Sequence, residues 1–170
     1  PDVLVLRVPE LATTHYRRLD AAAFLAEGRL AVTAGWDGLA RLWDLQTGTE
    51  LKMPLLGPGP WLRGMVASDP WVAVWSEDRQ VTLQRFGAAA PARALQLSAQ
   101  VTAVALAADS DQLIAADRSG QVLLGRLSGI AVLEQALHNS GPVTQVGLSR
   151  SGRQAFSVGA DGHVLVLDTE

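Results

Sequence analysis

A short motif recurs four times along the chain, and this repetition constrains the fold more than any other feature of the sequence. Each copy holds a short apolar run, a two-residue turn and then an alternation of apolar and polar residues. The second residue of this turn is Gly38, Arg79, Gly120 and Gly162 in the four copies, so the spacing between consecutive copies is nearly constant. A period of about 40 residues predicts one supersecondary unit that is built four times and stacked on its neighbours.

Within each copy, the pattern predicts four short β-strands separated by turns. The first strands are predicted at Ala21–Ala26, Gly64–Ser68, Val101–Ala107 and Val143–Leu148. A solenoid of helix pairs has a similar period, but the 16 glycines and 8 prolines spread along the chain would break its helices. The sequence therefore predicts an all-β protein, a β-propeller built from about four blades that are each a four-stranded antiparallel sheet.

Composition narrows the classes of function. The chain has no cysteine, which excludes disulfides, thiolate nucleophiles and thiolate metal sites. Its formal net charge is −3 and it has no basic block, so we expect no nucleic-acid partner. Its apolar runs are far shorter than the roughly 20 residues of a membrane helix, so we expect no membrane insertion. We see no signal-peptide pattern at its beginning, and the compartment stays open, with the cytoplasm slightly favoured.

The first and fourth copies resemble the WD-repeat β-propeller family. The first reads Thr33, then Trp36-Asp37-Gly38, then Leu42-Trp43-Asp44. The fourth reads Leu137-His138, then Ser157, then Asp161-Gly162, then Leu167-Asp168. The resemblance covers almost the whole chain and is weaker in the two middle copies.

This resemblance implies a hydrogen-bonded structural tetrad in each well-preserved blade, which ties three strands together. Its members are a histidine before the first strand, a serine or threonine on the second, the turn aspartate and a tryptophan on the third. The corresponding residues are His15, Thr33, Asp37 and Trp43 in the first copy and His138, Ser157 and Asp161 in the fourth, where Leu167 replaces tryptophan. The second copy retains only Asp78, and the third retains no clear member because Ser119 stands at the aspartate position.

The residue types of the fourth tetrad also occur in hydrolase triads, which raises catalysis as an alternative. The structural interpretation is favoured because His15, Thr33 and Asp37 repeat the same positions in the first copy. The three histidines have no metal-ligand spacing, and neither a nucleophile elbow nor a phosphate-binding glycine loop is present. We therefore expect no enzyme, no cofactor and no metal site.

The resemblance also implies that the residue before the turn aspartate faces the top surface of the ring. Trp36 and Glu77 occupy this position in the first two copies, and Arg118 and Ala160 follow in the others. Further residues precede inner strands and could reach the same surface, namely Tyr16, Arg17, Arg18, Trp61 and Arg63. Tryptophan, tyrosine and arginine dominate interface hot spots, so we expect a protein or peptide partner there. The alternative is that the tryptophans cover blade edges and the arginines keep the surface hydrated.

The domain organisation leaves two alternatives open. Residues 1–170 are expected to form one propeller domain or a propeller fragment, with blades at about 13–55, 56–97, 98–137 and 138–170. An extra strand at 3–8 is either the missing outer strand of the last blade or the third strand of an upstream blade. The expected function is a non-catalytic interaction scaffold. The alternative is an accessory or sensor module of an enzyme or multi-chain assembly, whose ring is completed by another chain or by self-association.

Overall fold

The computed structural model describes residues 19–56, 61–86, 92–129, 132–137 and 141–169. Regular structure in these residues consists of fifteen β-strands and two short 3-10 turns, Ala26–Gly28 and Ala108–Ser110. The prediction of an all-β protein is therefore confirmed. No helix in the described ranges is long and apolar enough to cross a membrane.

The strands form four small antiparallel sheets, and in each sheet every strand pairs with the next one along the chain. The first sheet contains β1 Leu19–Leu25, β2 Leu30–Gly35, β3 Leu39–Asp44 and β4 Thr49–Leu56. The second contains β5 Gly64–Ser68, β6 Trp71–Trp75, β7 Gln80–Arg85 and β8 Arg93–Gln96. The third contains β9 Val101–Ala107, β10 Gln112–Asp117, β11 Gln121–Arg126 and β12 Val132–Leu137. The fourth contains β13 Val143–Leu148, β14 Gln154–Gly159 and β15 Val164–Asp168.

The first strands of the last three sheets have the bounds that the sequence pattern predicts. The first strand of the first sheet instead runs from Leu19 to Leu25, because Ala26 has a φ of 50° and begins a 3-10 turn. The fourth sheet has three strands within the described residues. The predicted extra strand at 3–8 lies outside the described residues.

The repeat seen in the sequence is a repeat of turn geometry. The turns that join the second and third strands carry φ values of 78°, 65°, 92° and 83° at Gly38, Arg79, Gly120 and Gly162. This left-handed conformation is easy for glycine and strained for other residues. Arg79 adopts it nonetheless, so the hairpin requires the conformation even where glycine is absent.

The apolar core lies between consecutive sheets. β1 contacts β5, β5 contacts β9, and β9 contacts β13. Each of the first three sheets packs four apolar side chains from its two middle strands into a cluster shared with the following sheet, and we call these four its docking quartet. The quartets are Val32, Ala34, Ala40 and Leu42; Ala73, Trp75, Val81 and Leu83; and Ile114, Ala116, Val122 and Leu124. All of these side chains are at most 9% exposed, so each sheet is held by its neighbour.

Candidate functional site

One edge of the sheets gathers the turns between second and third strands together with the starts of the inner strands. The Arg63 amide donates to the Trp75 carbonyl at 2.8 Å, and the Arg118 amide donates to the Gln100 carbonyl at 2.9 Å. The equivalent bond in the fourth sheet runs from the Ala160 amide to the Pro142 carbonyl, at 2.9 Å. Antiparallel pairing thus places residues that flank inner strands beside residues that flank the turns.

A cleft opens at this edge between the second and third sheets, and its volume is about 360 Å³. Its walls are built by Arg63, Trp75 and Glu77 on one side and by Gln100, Val101, Thr102 and Arg118 on the other. A volume of this size falls within the range of ligand-binding clefts in proteins.

Among the described residues that line the cleft, the charged side chains are two arginines and one glutamate. Arg63 and Glu77 form an ion pair, and both side chains remain about half exposed. An ion pair this exposed contributes little to stability. The Arg118 side chain is exposed and has no ion-pair partner among the described residues. The cleft therefore has an excess of positive charge, on a chain whose net charge is −3.

Tryptophans occur in the wall of the cleft and in the chain segment that leads to it. Trp75 is buried and forms part of its wall. Trp61 lies just before Arg63 in the chain, has a φ of 63° and exposes more than half of its surface. The Trp61 amide donates to the Trp36 carbonyl at 3.3 Å, which connects the turn of the first sheet to the start of the second.

The predicted partner-binding residues thus divide into three groups. The structure brings Arg63 and Glu77 together in the cleft, and it places Trp61 and Trp36 at the adjoining turn. Three others, Tyr16, Arg17 and Arg18, lie outside the described residues.

The sequence pattern does not single out Gln100 or Thr102, and Arg118 stands in it only as the repeat equivalent of Trp36. The repeat spacing could have found both missed residues. Gln100 stands two repeat periods after the predicted Arg18, and Thr102 stands one period after Trp61.

Two members of the predicted first tetrad are hydrogen-bonded beside this edge. The indole Nε1 of Trp43 donates to Thr33 Oγ1 at 2.8 Å, and Trp43 is buried. Asp37 accepts from the Leu39 amide at 3.3 Å and from Arg41 Nη1 at 2.7 Å. His15 lies outside the described residues, and the full tetrad stays a prediction.

The Asp37 and Arg41 side chains are both almost inaccessible to solvent. Burial raises the pKa of the Asp37 carboxyl above its ordinary value, while backbone N–H groups that donate to it act in the opposite direction. Burial also lowers the pKa of Arg41, and the nearby Glu50 carboxylate opposes that shift. Loss of either partner would leave a charge in a poorly solvated place, which is more costly than the loss of a surface ion pair.

In the fourth sheet, Ser157 is fully buried and Asp161 Oδ1 accepts from the His163 amide at 3.0 Å. The imidazole Nδ1 of His163 lies 3.4 Å from Asp161 Oδ2. His138 lies outside the described residues. In the second sheet, the Ser76 hydroxyl donates to Asp78.

The third sheet holds a buried carboxylate that the repeat motif did not single out, although Ser119 stands at the aspartate position of the motif. Asp117, which closely precedes Ser119, is fully buried. Its Oδ1 accepts from the Ser119 amide, the Ser119 hydroxyl and the Gln121 amide at 2.9, 2.7 and 3.1 Å. Its Oδ2 accepts from the Ala99 amide at 2.8 Å, just before the inner strand. The available signal was a single carboxylate at the end of the otherwise apolar run Leu113-Ile-Ala-Ala116.

Replacement of Thr33 by valine should lower the free energy of unfolding by about 1–2 kcal/mol, because it removes the acceptor of a buried indole N–H while keeping the side-chain shape. Chemical denaturation measures the change. Thr144→Val is the matched control, since the hydroxyl of this exposed residue donates to the Val158 carbonyl and holds no buried donor. Equal effects of the two substitutions would show that the Thr33–Trp43 bond does not stabilise the first sheet.

The described residues contain no group of three or more histidine, aspartate or glutamate side chains arranged to hold a metal ion. Among known families, the model described as "WD domain, G-beta repeat" matches residues 10–44. The matched segment is one repeat and includes Thr33, Asp37 and Trp43. No curated protein matches the chain.

Proposed function

We propose that this chain, which contains a WD40 repeat and four antiparallel sheets consistent with about four WD blades, binds an acidic peptide segment of a protein partner in the cleft between its second and third sheets. WD40 repeat domains generally serve as protein-interaction scaffolds and are typically non-catalytic. The proposed role is accordingly that of a non-catalytic interaction module.

The observation that carries this proposal is the charge of the cleft. Arg63 and Arg118 line it from neighbouring sheets, and Glu77 is the only carboxylate among the described residues that line it. A carboxylate of the partner can accept two parallel hydrogen bonds from one guanidinium, which favours arginine over lysine for this purpose. The formal charge of the cleft is therefore positive, opposite in sign to that of the whole chain.

The remaining lining supports a peptide rather than a small anion. Gln100 and Thr102 supply hydrogen-bonding groups, and the buried side chains of Trp75 and Val101 form the apolar part of the wall. Trp61, two residues before Arg63 in the chain, is more than half exposed. An extended peptide can place an acidic side chain near the arginines and an apolar one against the exposed Trp61.

Selection from a displayed library of random peptides against the purified chain tests the proposal, because the library favours no particular ligand charge. The selected sequences should be enriched in aspartate or glutamate next to an apolar residue. Selection of basic peptides, or of peptides without any charge preference, would contradict an acidic ligand.

Arg118→Glu should weaken binding of the selected peptide by roughly tenfold or more, because it replaces an attractive charge by a repulsive one at the cleft wall. Calorimetric titration measures the dissociation constant. Arg126→Glu is the matched control, because it makes the same change of net charge at an exposed position at the end of β11. If both variants weaken binding equally, the effect comes from overall charge, and the cleft is not the site.

Glu77→Gln should have the opposite effect and tighten binding by about threefold, because it frees Arg63 from its competing carboxylate. The same titration provides the measurement. The effect should shrink at high salt, where exposed charges are screened. Weaker binding by Glu77→Gln would indicate that Glu77 itself contacts the ligand, in conflict with the proposed acidic peptide.

A further inference from the structure

The fourth sheet carries the equivalent of a docking quartet, and three of its four side chains are exposed. The residues one repeat period after the third quartet are Phe156, Val158, Val164 and Val166. They pair across β14 and β15 as the other quartets pair across their middle strands, with Phe156 opposite Val166 and Val158 opposite Val164. Phe156, Val164 and Val166 are 37%, 60% and 67% exposed, whereas every member of the first three quartets is at most 9% exposed.

The aromatic member of this quartet lies flat on its sheet. A Cβ added at Gly147 would overlap the Phe156 ring, which shows that the ring rests on the backbone of the neighbouring strand β13. The quartet is therefore a broad apolar surface rather than a set of side chains that extend into water. Clusters of large exposed apolar side chains on a soluble protein usually mark an interaction surface.

The first sheet presents the complementary element. Met65, Leu106 and Leu148 occupy the same repeat position on successive inner strands, and each packs in the cluster formed with the preceding sheet. Phe24 stands one repeat period before Met65 and holds this position on β1. Phe24 is 73% exposed. In the second, third and fourth sheets, the residue at this position packs against the quartet of the preceding sheet, whereas in the first sheet it is exposed.

We propose that the fourth sheet of one copy binds the first sheet of a second copy, with Phe24 of one chain against Phe156, Val164 and Val166 of the other. This contact would repeat between chains the packing that joins consecutive sheets three times within the chain. The second copy is the occupant because its first sheet displays an uncovered apolar residue at the repeat position that the quartet receives elsewhere. Such a contact joins two different surfaces, so it closes into a ring or extends the assembly.

Sedimentation velocity over a concentration series of the purified chain tests this proposal. The chain should form dimers or larger assemblies as its concentration rises. Val166→Glu and Phe24→Glu should each abolish this association, because either places a charge in an apolar contact. Ala94→Glu is the matched control, since it adds the same charge at an exposed position of β8.

A mixture of the two interface variants separates the proposed contact from other kinds of self-association. Phe24→Glu keeps an intact fourth sheet and Val166→Glu keeps an intact first sheet. The mixture should therefore contain a dimer with one copy of each variant, although neither variant associates alone. A symmetric contact between two first sheets or two fourth sheets cannot produce this result.

Three results would overturn the proposal. One is a monomer at every concentration of the unaltered chain. Another is association that Val166→Glu and Phe24→Glu leave unchanged. The third is that the chain stays monomeric while Val166→Glu lowers its melting temperature markedly more than Ala94→Glu does. That result would mean that the fourth sheet is covered within a single chain. The peptide cleft uses other residues, so these outcomes do not decide the proposed function.

Discussion

Replacement of Asp117 by alanine is expected to lower the free energy of unfolding by about 3 kcal/mol. The carboxylate is fully buried and accepts four hydrogen bonds, three from backbone amides and one from the Ser119 hydroxyl. Alanine leaves these donors without their acceptor. The Gln121 amide is buried, and an unsatisfied buried donor costs about 1–3 kcal/mol before the structure relaxes. Because one of the amides belongs to Ala99, the substitution also loosens the start of the inner strand β9.

Urea denaturation of matched variants measures this effect. Asp109→Ala removes a carboxylate that is largely exposed and lies 3.6 Å from an exposed arginine, and it should change the free energy of unfolding by less than about 0.5 kcal/mol. Asp117→Asn keeps one acceptor oxygen, so its loss in free energy of unfolding should lie between those of Asp117→Ala and Asp109→Ala. If Asp117→Ala is no more destabilising than Asp109→Ala, the hydrogen bonds to Asp117 do not hold the third sheet together.

Replacement of Gly64 by alanine is the second change with a large expected effect, a loss of about 2–3 kcal/mol. A Cβ at Gly64 would overlap the indole ring of Trp75, which lies opposite it on β6. Trp75 belongs to the docking quartet of the second sheet and is packed against the third sheet. The ring therefore has little room to move, and β5 must shift instead.

Gly147→Ala is a close control, because a Cβ there would overlap an aromatic ring in the same way. Its neighbour Phe156 is partly exposed and can turn toward solvent, so the expected loss in the single chain is below about 1 kcal/mol. Thermal or chemical denaturation of both variants at low concentration gives the comparison. Equal losses would mean that Trp75 is as free to move as Phe156, contrary to its place in the core.

The features that the sequence predicted correctly depend on local chemistry. The turns at Gly38, Gly120 and Gly162 could be placed because a left-handed residue in a tight hairpin favours glycine. The apolar runs between such turns then predicted the inner strands of the last three sheets with their observed bounds. The period of the turns also predicted the number of sheets.

The features that the sequence did not predict depend on contacts between distant residues. Asp117 was missed because its hydrogen bond to Ala99 joins two different strands, and the repeat motif placed the carboxylate at the later position of Ser119. The cleft could not be predicted because its two sides belong to different sheets, and only their packing brings Arg118 near Arg63. The uncovered fourth quartet has the same apolar character as the covered ones, so composition alone does not distinguish them.

Amide hydrogen exchange of the chain with and without a peptide from the displayed library tests the central claim of an acidic-peptide cleft most directly. The peptide should slow exchange at residues 61–64, at 100–102 and around Arg118, and it should leave exchange in the outer strand Arg93–Gln96 unchanged. Protection confined to β8, or to the strands that carry Phe24 and Val166, with no change at the cleft, would contradict it.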